Sequence, residues 1–210
     1  MKPLALAEFW DRLPAFTYDW PPLPSASRIS ETRDGEEYGT ERGRRKWAGS
    51  VTIGAQYVED MMEFRAIIGG LSVAGAYFEV APPWVVPRPE LAGAYLSEVS
   101  NTGAAARFGG LPPATILRAG DCVTMVSPFG GWWLFQLLSP VMVGGDGQTP
   151  VVGLSPSVPG SIEAGTAAFF DQPRLVAQMV PNSVSAGSFQ VDRDDGVSFA
   201  WRQTFKAVAE

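Results

Sequence analysis

The sequence predicts a mainly β protein: a split β-sandwich or barrel domain bearing one α-helix, with a small β-barrel inserted into it. Three observations predict this. First, the middle of the chain is built of short apolar segments, Cys122 to Val126, Trp132 to Leu138 and Val151 to Leu154. Turns at Gly120-Asp121, Gly130-Gly131 and Gly144-Gly145-Asp146-Gly147 separate them, and Pro156 ends the last. Turn residues reach positive φ at low cost, so this punctuation suits a compact barrel. Second, 23 glycines and 18 prolines make up about one residue in five of the 210, against a usual share of roughly one in eight. Third, a strongly alternating strand closes the chain with no partner nearby in sequence.

The elements follow in order. Leu4 to Leu13 reads as a short amphipathic helix ended by Pro14, and Phe16 to Trp20 as a strand before the cluster Pro21-Pro22-Leu23-Pro24. Residues 26–56 read as extended segments broken at Asp34-Gly35 and Gly43. In the clearest of these, Trp47, Gly49, Val51 and Ile53 share one side. One helix is expected from Val58 to Ile68. Glu59, Asp60 and Glu63 favour its N-terminus, Val58, Met61, Met62, Arg65 and Ile68 form its stripe, and Gly69-Gly70 supplies the stop. A strand from Ala76 to Val80 precedes Ala81-Pro82-Pro83-Trp84-Val85-Val86-Pro87-Arg88-Pro89, whose proline density suits a stiff connector.

Beyond the middle segment, Ser157 to Thr166 is a loop and Arg174 to Val180 a strand. Ser188 to Asp192 and Val197 to Ala207 read as a hairpin closed near Asp194-Asp195-Gly196. In the last segment Val197, Phe199, Trp201, Phe205 and Ala207 alternate with Ser198, Arg202, Thr204 and Lys206, the pattern of a strand buried on one face. The first 80 residues lack a closing edge. The C-terminal strands are therefore expected to return to them, giving one domain of 1–82 with 169–210 and an inserted barrel of 83–168.

Composition narrows the chemistry. With 46% hydrophobic residues, 18% charged and 24 aromatics, the chain is not of the disordered class. A net charge of −6 argues against a dedicated nucleic-acid binder. The longest apolar run, Trp132 to Val143, is shorter than the roughly 20 residues of a spanning helix and contains Gln136, Ser139 and Pro140. The apolar start breaks at Glu8, so a soluble protein made without export and without membrane insertion is expected. The chain has no histidine, which removes Ser-His-Asp and Cys-His mechanisms and histidine-containing zinc sites. Its one cysteine, Cys122, lies in an apolar strand pattern and reads as a buried structural thiol.

The remaining candidates each have a plain reading beside the functional one. The pairs Glu36-Glu37 and Asp194-Asp195 are adjacent, so they do not face one another across a cleft as a glycosidase dyad does. Asp192-Arg193-Asp194-Asp195-Gly196 resembles a calcium loop only loosely, since Arg202 stands where the bidentate Glu belongs. Gly144 to Thr149 lacks the lysine and helix of a phosphate loop, and Gly103, Gly109 and Gly110 fit no dinucleotide fingerprint. The serines at Gly70-Leu71-Ser72 and Gly153-Leu154-Ser155 lack the second glycine of a nucleophile elbow. Arg42-Gly43-Arg44-Arg45-Lys46-Trp47 is a basic cluster that could meet phosphate with Trp47 stacking on a base. A solvated face or an electrostatic protein contact is the favoured reading, because Glu31, Asp34, Glu36, Glu37 and Glu41 lie just upstream. Of the seven tryptophans, Trp47 and Trp201 sit in strand patterns and belong to the core. Trp84, held among prolines, is the best exposed anchor, with Trp132 and Trp133 as further candidate platforms for a sugar or a protein. No catalytic, cofactor-binding or metal-ligating residue is assigned, and no cofactor.

In order, Leu6-Ala7-Glu8-Phe9-Trp10, Ser27-Arg28, Trp47-Ala48-Gly49-Ser50-Val51, the helix containing Met62 to Ile68, the turn Ala119-Gly120-Asp121, and Gly147 with Val151 to Pro156 resemble the distal tail proteins of long-tailed (siphovirus-type) bacteriophages and gene-transfer particles. The resemblance covers most of the chain. It implies a structural virion protein, assembled in the host cytoplasm, that forms a homo-hexameric ring joining the tail tube to the baseplate or tail tip. By the same resemblance its partners are the tail tube protein, the tail hub protein and the tape measure protein. The inserted barrel is then of oligonucleotide/oligosaccharide-binding or lectin-like shape, and no catalytic residue is expected. The alternative is a host-glycan-binding β-module on a tail tip.

Overall fold

A computed structural model describes residues 2–13, 16–23, 27–31, 37–41, 45–54, 56–186, 193–194 and 196–205. In chain order the strands are β1 (Phe16–Asp19), β2 (Ser27–Glu31), β3 (Glu37–Glu41), β4 (Ala48–Ile53) and β5 (Gln56–Tyr57), followed by helix α1 (Val58–Leu71) and β6 (Phe78–Val80). The middle holds β7 (Tyr95–Val99), β8 (Ala105–Gly109), β9 (Ile116–Leu117), β10 (Cys122–Val126) and β11 (Trp132–Leu137). After them come β12 (Val141–Met142), β13 (Val152–Ser155) and β14 (Ala168–Phe169). Last are β15 (Leu175–Met179), β16 (Ser185–Ala186), β17 (Arg193–Asp194) and β18 (Val197–Gln203). The fold is mainly β.

The first sheet has the order β1-β4-β18-β15-β6, with β16 also pairing β18. Alternation decides its inner face: Val197, Phe199 and Trp201 of β18 and Val51 and Ile53 of β4 are buried, while Arg202 and Thr52 face solvent. Trp201 stands opposite Gly49 in the β4–β18 register. A Cβ at Gly49 would lie 2.6 Å from the Asp19 carbonyl oxygen and 2.9 Å from the Trp201 ring, so only glycine lets strand and indole meet. With Phe78 of β6, this face packs in one core with Phe9 and Trp10 and, from α1, Met61, Phe64 and Ile68.

The second sheet has the order β14-β10-β11-β13-β8-β7. A bridge between Tyr95 and Ala167, with Leu96 N–H donating to the Thr166 carbonyl at 2.8 Å, joins its first and last strands. The result is a nearly closed barrel of six antiparallel strands, one more than the five of an oligonucleotide/oligosaccharide-binding barrel. Phe108, Met125 and Phe135 fill its centre. The chain leaves the first sheet at Val80 and rejoins it at Leu175, where β15 pairs both β6 and β18.

Several expectations are corrected. Residues 4–13 form two 3₁₀ turns, Leu6–Glu8 and Trp10–Arg12, with Phe9 between them at φ −138°. Leu6, Phe9, Trp10 and Leu13 are all buried, so packing holds a segment too short to persist as an independent helix. Helix α1 runs through Gly69 and Gly70 to Leu71, because both glycines are solvent-facing and crowd nothing. The turn that ends it reaches Gly75 at φ +89°. Met62 points to solvent and Phe64 takes its place in the buried stripe. The C-terminal strand stops at Gln203, short of Phe205. Arg193 and Asp194 pair with β5 instead of closing a hairpin on β18, whose partners at Val197 and Ser198 are β16 on one edge and β4 on the other. The expected strand at Ser188 to Asp192 lies outside the described residues.

Strands β10 and β11 separate the two cores. Cys122 and Leu134 pack into the first, while Val123, Met125, Trp133 and Phe135 pack into the second. Burial on both faces explains why the sequence there is a continuous apolar run. Among the described residues, the side chains of Trp47, Gln203 and Thr124 bind the layers. Trp47 Nε1 donates to the Leu134 carbonyl at 2.9 Å. The Gln203 amide accepts from Trp47 N–H at 3.2 Å and donates to the Trp132 carbonyl at 3.1 Å. The Thr124 hydroxyl donates to the Arg174 carbonyl at 2.6 Å and accepts from the Arg174 N–H at 2.7 Å.

Candidate functional site

Trp84 is the tryptophan that the structure leaves most open, at 47% exposure. Its ring sits edge-on to that of Trp20, with centroids 5.4 Å apart. With Val86, Arg88, Ile116 and Cys122 it lines a groove of about 480 Å³ beside the 81–90 connector. Ile116 of β9 is directly opposite Met142 of β12, and both side chains are exposed. That side of the groove is therefore apolar, and apolar residues left open in a groove suit contact with another molecule.

Of the charged residues that line this groove, Arg88 and Asp121 engage one another, while Arg118 is exposed. Arg88 Nε lies 3.1 Å from Glu90 and its Nη1 lies 3.7 Å from Asp121. Backbone hydrogen bonding at Glu90, and then Arg88, hold the Glu90 carboxyl below the usual carboxylate range. Asp121 in turn accepts from Arg118 N–H at 2.8 Å, which shapes the turn that launches β10. Burial pushes the Cys122 thiol up to about 12, with Asp121 adding to the shift and a hydrogen bond from Trp84 opposing it. A protonated thiol is a poor nucleophile, so this arrangement favours contact over group transfer.

The other candidates are placed as follows. Trp133 is 3% exposed and stacks on Phe205 at 3.9 Å, so it offers no open platform. Trp132 is half-buried, with the Arg174 guanidinium 4.8 Å from its ring centroid. Strand neighbours point to opposite faces, and here each face is already covered. Trp47 is 2% exposed and cannot stack on a base. Trp201 is buried in the first core. Asp146 Oδ1 accepts from Gln148 N–H at 3.1 Å, as a turn residue does. Ser72 Oγ donates to the Ile68 carbonyl at 2.8 Å at the end of α1, and Ser155 ends β13 before a cis peptide to Pro156.

Glu36, Arg42, Gly43, Arg44, Asp192 and Asp195 lie outside the described residues, which hold Glu37 in β3 and Asp194 in β17. Among the described residues no group of three or more Cys, Asp or Glu could hold a metal ion. Among them, too, no helix is long and apolar enough to cross a membrane. Sequence reasoning missed Gln203, whose role depends on residues 47 and 132 meeting it in space. No protein-family model matches this chain, and no curated protein matches it.

Proposed function

We propose that this chain is a structural virion protein, a distal tail protein of a long-tailed phage or gene-transfer particle. Six copies form a ring that joins the tail tube to the baseplate or tip, in contact with tube, hub and tape measure proteins. The observation that carries this reading is architectural. A sheet of N- and C-terminal strands bears one helix, and a barrel stands between β6 and β15. That is the arrangement implied by the resemblance of the sequence.

Two further features support assembly. Among the described residues β1 pairs only β4, so its outer edge is open to a neighbour. Large apolar side chains, among them Val86, Ile116, Phe129 and Met142, are exposed. The role is one of contact, with no catalytic step assigned. Electron microscopy of the purified protein, alone and mixed with tube protein, tests it: six-fold rings are expected. A protein that stays monomeric at high concentration and binds neither tube nor hub protein refutes the reading.

The second reading is binding of a host-surface glycan, which the exposure of Trp84 beside its groove favours. A glycan array compared between the protein and Trp84→Ala decides it. No hits, or hits untouched by the substitution, remove this reading.

A further inference from the structure

A second groove, of about 460 Å³, also borders the 81–90 connector, and Val85 lines both it and the Trp84 groove. Its size falls within the roughly 300–1,000 Å³ of sites that enclose a ligand. Three rings in mutual contact form its aromatic part. Tyr18 meets Phe16 at 4.2 Å and Trp10 at 5.4 Å between centroids, and Trp10 meets Phe16 at 6.2 Å. Alternation along β1 puts Phe16 and Tyr18 on one half-buried side, while Thr17 and Asp19 are exposed on the other. Pro82, Pro83, Pro87 and Pro173 supply a further part of the lining. Proline fixes φ and has no N–H, so this part is stiff and offers no backbone donor.

Among the described residues, Asp11 is the one charged side chain in the lining, and it is exposed. Its charge reaches the phenol: burial first and Asp11 second push the Tyr18 hydroxyl up to about 12. Arg12, next in sequence, is held by Glu63 of α1 at 2.8 Å. A carboxylate beside aromatic rings in an apolar groove selects an occupant with an apolar body and a cationic tip. The acid takes charge-assisted hydrogen bonds, and the rings add contact area and cation–π attraction. Arginine suits both, because its planar guanidinium forks onto a carboxylate and stacks on rings.

The chain carries such an occupant on its own surface. Leu117 of β9 is buried between exposed Ile116 and exposed Arg118, so those two project together from the outer side. Met142 of β12, directly opposite Ile116, is exposed with it. The β9–β12 ribbon therefore presents two apolar side chains and an arginine at one place. Within one chain Arg118 and Asp11 form no ion pair. A neighbouring copy brings the opposite charges together.

We propose that the Ile116–Met142–Arg118 face of one copy seats in the Trp10–Phe16–Tyr18 groove of the next, with Arg118 on Asp11. Donor and acceptor are different surfaces, so the contact is heterologous and closes into a ring when the rotation per copy allows. The inference rests on the ring reading above and names the contact that makes the ring.

The test uses three variants of the full chain, Asp11→Arg, Arg118→Asp and the exchange Asp11→Arg/Arg118→Asp. Assembly is measured by sedimentation velocity and folding by circular dichroism. Each single variant puts like charges at the contact and is expected to need at least about tenfold higher concentration to assemble. The exchange restores opposite charges at every contact and is expected to regain assembly, which also shows that both substitutions are tolerated by the fold. If a reversed charge disturbs the native spectrum, Asp11→Asn and Arg118→Gln replace it. Each is then expected to weaken assembly, and the two together no more than either alone, because they remove the same pair.

Rings formed by either single variant at the unaltered concentration overturn this contact and leave the ring reading intact. So does an exchange variant that keeps its native spectrum but does not recover, or an additive effect of the neutral pair. Intact rings that no longer bind tube protein assign the surface to the tube and also overturn the proposal. Absence of rings in the unaltered protein removes the ring reading and this contact together.

Discussion

Gln203 offers the sharpest test of how the two layers are held together. Its side chain is in a residue only 2% exposed and makes two hydrogen bonds, one from Trp47 N–H at 3.2 Å and one to the Trp132 carbonyl at 3.1 Å. Gln203→Leu keeps the approximate volume and removes the partner of both backbone groups, one buried and one part-buried. A buried group deprived of its partner costs about 1–3 kcal/mol, so the pair of losses predicts about 3 kcal/mol. For a chain of this size each kcal/mol moves the melting temperature by roughly 2–4 °C, which gives a fall of about 6–12 °C. The assay is urea unfolding followed by tryptophan fluorescence, with calorimetry for Tm. Gln136→Leu is the control: its amide donates to Gly120 from a partly buried site, and it should lose less than about 1.5 kcal/mol. If Gln203→Leu unfolds within about 0.5 kcal/mol of the unaltered protein, a range typical of exposed substitutions, the seam is not held by this amide.

Three further outcomes follow from the structure. Gly49→Ala forces a methyl to 2.6 Å from the Asp19 carbonyl and 2.9 Å from the Trp201 ring, and should destabilise by about 1–3 kcal/mol in the same urea assay. An unchanged midpoint contradicts the close packing of β1, β4 and β18. The Cys122 thiol, raised from 9.0 to about 12, should ignore a thiol reagent at pH 8 in the native protein and react once urea unfolds it. Native reaction at the rate of a free thiol contradicts its burial. Tyr18 is likewise raised, from 10.0 to about 12, by burial first and Asp11 second. Both groups hold their protons more tightly when folded, so the stability they add is complete below about pH 9 and is lost as pH rises toward 12. Urea midpoints should fall between pH 9 and 11.5, with a shallower fall in Cys122→Ala, and a flat profile contradicts the assignment.

Local pattern was enough wherever one strand face meets a core. The alternation of Val197, Phe199 and Trp201 against Ser198 and Arg202 reads directly as β18, and Gly49, Val51 and Ile53 read as the buried face of β4. The turns at Gly120, Gly130 and Gly147 also stand out, since each adopts positive φ. Tertiary packing overrides pattern elsewhere. Leu6, Phe9, Trp10 and Leu13 have helical spacing, yet they are buried by two short turns. Gly69 and Gly70 look like a stop, but the helix passes through because its first buried residue beyond them, Leu71, still gains contact with the core. At the site, Trp84 was legible from the prolines around it. The fates of Trp132 and Trp133 were not, because Arg174 and Phe205 cover them from far along the chain. Likewise Lys46 reads as one member of a basic run, while its nearness to Arg202 needs the β4–β18 register, in which Arg202 is opposite Ala48.

We propose that this chain is a ring-forming subunit. Native mass spectrometry of the purified protein across a concentration series measures it most directly. A dominant species of six times the 22.5 kDa of one chain, appearing cooperatively as concentration rises, is expected. A single species of 22.5 kDa at every concentration, unchanged when tube protein is added, contradicts it.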